Sequence, residues 1–298
     1  MAGQPRYMGG QAVVEGVMMR GEDRWAVAVR TPDGDIEVVT HPVPRWAERY
    51  ASIPLVRGVA NLAESLSLGM RALTWSANRQ VPEEEQVSGK AMGATMAVAF
   101  AFFAGVFILV PALGARGLSG RLGLGKWEFH LLEGILSLSI FLGYLSLIGR
   151  LPDIRRVFQY HGAEHKAIAA YENGVPLTPQ DAQRFTTEHV RCGTNFLLTV
   201  FVIAILVYSM IGRPSLPWFI ASRVVMIPVI AGLAYEVIRF AAKHMDRRWV
   251  RIAMTPGLTL QRLTTREPTL DQLEVAIASL RAVFTPAQLV EVEARRAA

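Results

Sequence analysis

Cysteine is all but missing from this chain: Cys192 is the single one in 298 residues. No intramolecular disulfide can form, which suits a reducing compartment. Other signals are lacking too. No basic-then-apolar leader opens the sequence, and residues 1–90 are polar and mixed. No heptad, short-period repeat or low-complexity tract occurs, which argues against coiled-coil and repeat architectures. Charge is absent from two long stretches, and these absences are the most informative.

Ala91 to Ala115 carries no charged residue for 25 positions, and Cys192 to Gly212 none for 21. Each exceeds the roughly 20 residues that span a bilayer core. Two further spans are less clean. Trp127–Ile148 holds Glu128, His130 and Glu133 near its start, and Trp218–Ile238 holds Arg223, Pro228 and Glu236. An apolar content of 51%, clustered rather than spread, fits four membrane helices better than a soluble core. Lipid leaves backbone groups to bond within their own segment, so these spans are expected to be helical.

Lys and Arg outside the spans set the orientation. The first ninety residues carry ten and residues 149–194 carry six, whereas 212–217 holds only Arg213. Arg116, Arg121 and Lys126 in the other outer loop run against the trend. The count places both termini and the loop with His161 in the cytoplasm. The net charge of +6 is then an orientation signal rather than a nucleic-acid footprint.

The expected fold is an α-helical integral membrane bundle of four helices joined to a cytoplasmic α+β portion. The divisions are a strand-rich segment 1–56, an amphipathic helical segment 57–90, a membrane region 91–240 with a cytoplasmic loop 149–194, and a tail 241–298. Strands are expected at Ala12–Met19, Trp25–Arg30 and Ile36–Thr40, the last two separated by the turn Pro32-Asp33-Gly34. Arg57–Arg79 has helical period, to pack on a soluble core or lie in the membrane interface. Thr178-Pro179 reads as the start of a helix, and Thr255–Gln261 as turn then strand. Thr269 with Gln272 forms a capping box for a helix, and Thr285-Pro286 starts a final one. The N-terminal strands and the tail are each short enough to need one another for a core.

The chemistry concentrates in Tyr160-His161-Gly162-Ala163-Glu164-His165-Lys166. Residues four apart share a helix face, so His161 and His165 can reach one metal ion. At 100° per residue, His161, His165 and Glu172 lie within about 40°, with Glu164 about 60° to the side. Two metal readings and a plain one compete. In the catalytic reading His161 and His165 bind a divalent transition metal, zinc above others. Glu164 is then the general base, a third ligand comes from His189, Glu172 or Glu236, and one position stays open. Over this pentapeptide alone, His-x-x-Glu-His resembles the inverted zinc-protease motif. In the structural reading His161, His165, His189 and Cys192 close a four-ligand shell. In the plain one, surface histidines titrate near neutrality and bind nothing.

Other residues carry weaker signals. Glu236 sits at membrane depth, where a carboxylate faces a cavity or a partner; Arg239 is the partner nearest in sequence. Glu15 and Arg20 either pair on a solvent face or line a site. Arg191 could bind an anionic group, and Arg223 is expected to snorkel outward.

Several stretches together resemble the YqhQ-like family of bacterial membrane proteins. They are Gly10-Gln11-Ala12-Val13-Val14-Glu15-Gly16-Val17-Met18-Met19-Arg20, the histidine run above, Arg191-Cys192-Gly193-Thr194, Pro256-Gly257-Leu258, Gln261, Thr264-Thr265-Arg266-Glu267-Pro268 and Glu274-Val275-Ala276-Ile277. The resemblance covers nearly the whole chain. It implies a multi-spanning protein of the bacterial inner membrane, described as a metal-dependent enzyme without a settled substrate. A non-catalytic membrane assembly or scaffold protein is the alternative.

Overall fold

The computed structural model describes residues 8–189, 192–211 and 215–297. It opens with β1 (Gly9–Val13), β2 (Gly16–Arg20), β3 (Arg24–Arg30) and β4 (Ile36–Pro42), an antiparallel sheet in the order β1-β2-β3-β4. Helices α1 (Val56–Asn78), α2 (Gly89–Ala104), α3 (Val110–Leu122), α4 (Lys126–Ile148), α5 (Pro152–Glu172) and α6 (Pro179–Ala182) follow. The rest are α7 (Gly193–Ile211), α8 (Leu216–Val225), α9 (Ile227–Lys243), α10 (Arg248–Thr264), α11 (Leu270–Ala282) and α12 (Pro286–Ala297).

The single strand expected over Ala12–Met19 is two. Val13 pairs with Gly16, so Val14 and Glu15 form a two-residue turn. Glu15 takes a φ of 52° there, a region few non-glycine residues enter. Its carboxylate is tied to Arg156 at 2.6 Å and to the Tyr160 hydroxyl at 3.3 Å. Arg20 pairs instead with Glu64, at 2.6 Å. The two charges of the opening motif therefore do not bridge each other: each anchors the sheet to a different helix, Glu15 to α5 and Arg20 to α1.

Side chains alternate across a strand, and both faces of this sheet are covered. Val17, Met19, Ala26 and Ala28 share a core with α5 and α11. Met18, Trp25, Val27 and Val29 pack with Leu68 and Ala72 of α1. Thr269 and Gln272 cap α11 reciprocally, as expected.

Three helical stretches are long and apolar enough to cross a membrane: Gly89–Leu122, Lys126–Ile148 and Gly193–Ile211. The first joins α2 to α3 through a π-helical segment at Gly105–Leu109. The fourth expected span is broken, since α8 and α9 meet at a bend of 41°. Pro228 sits in the first turn of α9 and, lacking an N–H, interrupts the ladder there. The count is three, or four if the bent pair is one span.

Three local expectations are corrected. The helix begun at Thr178 is a single turn, α6. Thr255–Gln261 is helical, within α10, despite Pro256. Packing overrides local preference: a Cβ on Gly257 would lie 1.8 Å from Asn195 Oδ1, so α10 and α7 touch at a glycine. Arg223 does not snorkel; it is fully buried and held by Glu133.

Candidate metal centre

Helix α5 brings the histidines to the junction between the sheet layer and the apolar helices. It packs on β1, and its Gly162 passes close to the main chain at Arg266, where a Cβ would meet the carbonyl oxygen at 2.2 Å. That close crossing sets His161 against the end of α10. His161 Nδ1 contacts the Thr264 carbonyl at 2.8 Å, and His165 Nδ1 contacts the Thr187 carbonyl at 2.6 Å. A carbonyl only accepts, so each Nδ1 carries the proton and Nε2 of each ring is left as a lone-pair donor.

The rings lie 4.5 Å apart, edge to face. Cys192, one residue before α7, joins them, with Sγ 3.3 Å from His161 Nε2. One ligand atom from each of His161, His165 and Cys192 lies within 4.8 Å of the others, a grouping that could hold a metal ion. Its protonation states fit that role. Burial, then the nearness of His161, lowers the His165 pKa to about 3, which keeps this imidazole neutral. Burial raises the Cys192 thiol above its usual range, partly offset by a hydrogen bond from Thr194. A bound cation would reverse that, because a coordinating thiol is deprotonated.

Glu164 is buried beside this grouping. Loss of solvent pushes its pKa up to about 8, opposed by His161 and reinforced by Cys192. β1 makes room for it: a Cβ at Gly10 would fall 2.8 Å from Glu164 Cγ and Oε1.

His189 borders the site without entering the grouping. Its ring is 5.6 Å from that of His165, and its Nε2 faces Glu172 Oε2 at 3.3 Å. Burial lowers its pKa. Glu172 thus reaches the site through His189. Glu236 is elsewhere: it binds Arg57 Nε at 2.7 Å, joining α9 to α1, with Arg57 in the role expected of Arg239. Glu15 and Arg20 serve the sheet anchors described above, and Arg191 lies outside the described residues.

Sequence reasoning gave no role to the residues that hold this arrangement in place. Thr187 and Thr264 act through main-chain carbonyls, which no side-chain motif announces. Lys166 is 2% exposed. It donates to the Gln183 carbonyl at 2.9 Å and pairs with Glu267, pinning the segment after α10 to α5. Gln261 braces His189. Its one signal in the sequence was its place among the stretches that carry the family resemblance.

Fold and site together define a mostly helical protein with membrane-length apolar helices, a small N-terminal sheet and a His-His-Cys grouping between them. Residues 53–286 match the family described as "Protein of unknown function (DUF1385)", and the chain belongs to it. It is 35% identical over 291 residues to the uncharacterized protein YqhQ of Bacillus subtilis (strain 168), covering 92% of this chain and 91% of that one. These agree with the resemblance read from the motifs. No solved structure matches.

Proposed function

We propose that this chain is a metal-dependent hydrolytic enzyme of the bacterial inner membrane, multi-pass, with its site and both termini on the cytoplasmic side. The observation that carries the reading is the convergence of His161, His165 and Cys192 with both Nδ1 atoms already spent on carbonyls. His161 and His165 would hold the ion through Nε2 and Cys192 through Sγ. Zinc suits two imidazoles and a thiolate. Bound there, it would supply a Lewis acid and acidify a water in its open position.

Glu164 is the proton acceptor in this reading. Its raised pKa of about 8 belongs to the metal-free molecule; a cation nearby favours the carboxylate. Once ionised, it can take a proton from a nucleophile and return it to a leaving group. His189, with Glu172 behind it, would complete the surroundings. The Lys and Arg distribution supports the orientation, and the apolar helices support the bilayer as partner.

A second reading, a non-catalytic membrane assembly or scaffold protein, is favoured by one specific observation. Cys192 precedes the apolar helix α7, so a thiolate ligand would tie α5 to that helix, as structural sites do.

Elemental analysis of protein purified without chelators tests both, followed by cobalt replacement. One metal per chain is expected, and its cobalt bands should shift when azide is added, because an open position takes an outside ligand. A site that binds cobalt but ignores azide would favour the structural reading. Failure to bind zinc, manganese, iron or cobalt would remove both metal readings.

A further inference from the structure

The apolar helices enclose a second polar centre, separate from the histidine–cysteine grouping. Arg223 is fully buried on α8 and binds Glu133 of α4 through two contacts of 2.7 Å. Its guanidinium lies 4.0 Å from the Tyr208 ring centroid and 4.1 Å from that of Phe219. One helical turn before Glu133, His130 is 1% exposed and places Nδ1 3.1 Å from Glu133 Oε2. Among the described residues no protein group satisfies the other ring nitrogen, Nε2, which is buried.

Of these side chains, His130, Glu133 and Tyr208 border a cavity of about 540 Å³ between α1, α2, α4, α7 and α9. Its polar lining is His130, Glu133, Ser137 and Tyr208, and the remainder is dominated by residues such as Phe141, Phe201 and Ile230. That is the size and character of a small-molecule site, apolar walls with a few convergent polar groups. A salt bridge for its own sake would not require a histidine with an unsatisfied nitrogen, which is costly in apolar surroundings.

The tautomer follows from charge. Arg223 engages both oxygens of Glu133, so Glu133 is the anion and the pair is neutral. A third charge would stand uncompensated in an apolar interior, so His130 is the neutral ring. Because Glu133 only accepts, Nδ1 carries the proton, and Nε2 keeps an unshared lone pair on a buried ring that lines the cavity. The matching ligand has an apolar chain and a hydrogen-bond donor at its head, and it is not an anion.

We propose that this cavity binds a lipid-type molecule whose hydroxyl donates to His130 Nε2 while its chain lies among the aromatic and aliphatic walls. Glycerolipids with a free hydroxyl and isoprenoid alcohols share this chemistry. Glu133 and Arg223 are positioning residues that fix the His130 ring. The proposal does not depend on the metal-site reading.

The test uses the full chain in phosphatidylcholine nanodiscs, a lipid without a hydroxyl donor. The probes are hexadecanol with a diazirine in its chain and the methyl ether of the same molecule. The alcohol should label α4 and α7 peptides about tenfold more than the ether, the scale of one satisfied buried acceptor. His130→Phe should reduce alcohol labelling to the ether's level. Ala204→Phe, which fills the cavity, should block both probes. Equal labelling by alcohol and ether in the wild type overturns the proposal, and that comparison is decisive even if a variant fails to fold. Competition by monoolein or by farnesol assigns the glycerolipid or the isoprenoid source; competition by neither also overturns it.

Discussion

Gln261 clasps the main chain of His189 from both sides. Its Oε1 accepts from the His189 N–H and its Nε2 donates to the His189 carbonyl, each at 2.8 Å, with the amide wholly buried. This double contact fixes His189, two residues after Thr187, whose carbonyl orients His165, and three residues before Cys192. Helix α10 therefore shapes the candidate centre without offering it a ligand.

Gln261→Ala should strand a buried donor and a buried acceptor, a cost of about 2–4 kcal/mol. Metal affinity should fall about tenfold or more, as it does when groups that orient ligands are removed. Thermal unfolding and metal titration of the variant check this. Wild-type affinity in a folded Gln261→Ala protein would mean that the His189 segment does not position the centre.

Three variants separate ligands from the proton acceptor. His161→Ala and Cys192→Ala should each lose bound metal, because each removes one of three donors. Glu164→Gln should retain it, because it keeps the shape beside Gly10 and removes only the acid–base function. Metal content per chain after purification is the readout. Loss of metal from Glu164→Gln would make Glu164 a ligand and leave the proton acceptor unassigned.

Metal affinity should rise with pH. The Cys192 thiol is held above its usual range by burial, so it is protonated in the metal-free chain at neutral pH and must release that proton to bind. His165, lowered to about 3, brings no proton to lose. Below the thiol pKa the slope from Cys192 should be about tenfold in affinity per pH unit. Zinc titrations at pH 6, 7 and 8 measure it, and a flat profile would exclude the thiolate as a ligand.

Topology is open to labelling. In a Cys192→Ser background, cysteines placed at Gly120 and Ser215 should react with an impermeant maleimide in intact cells. A cysteine at Val175 should react only after lysis. A Cβ at Gly120 meets nothing within 4 Å, so that position tolerates the change. Labelling of position 175 from outside would reverse the orientation.

The parts of this architecture legible in the sequence are those set by local chemistry. The charge-free runs announce the apolar helices, Thr269 and Gln272 announce the cap of α11, and the four-residue spacing announces the shared face of His161 and His165. What stayed hidden depends on partners far along the chain. Nothing near Glu236 points to Arg57, and nothing near Arg223 points to Glu133, 90 positions away. The Val14-Glu15 turn lacks a glycine or asparagine signal because distant Arg156 and Tyr160 hold it. Thr255–Gln261 has strand-like residues, yet contact with α7 makes it helix.

The order in which the chain is made gives the sheet a particular history. Ser279 donates to the Ala26 carbonyl at 3.1 Å across 253 positions, and α11 covers the β2–β3 face that holds Val17, Met19, Ala26 and Ala28. The strands leave the ribosome before their cover, which follows the apolar helices Gly89–Leu122, Lys126–Ile148 and Gly193–Ile211. Closure over so long a separation is slow and leaves an apolar face bare meanwhile. A product ending before α11 would keep that face exposed and be open to proteases. The sheet thus works as a seal on translation, closing only once the chain has been read as far as α11.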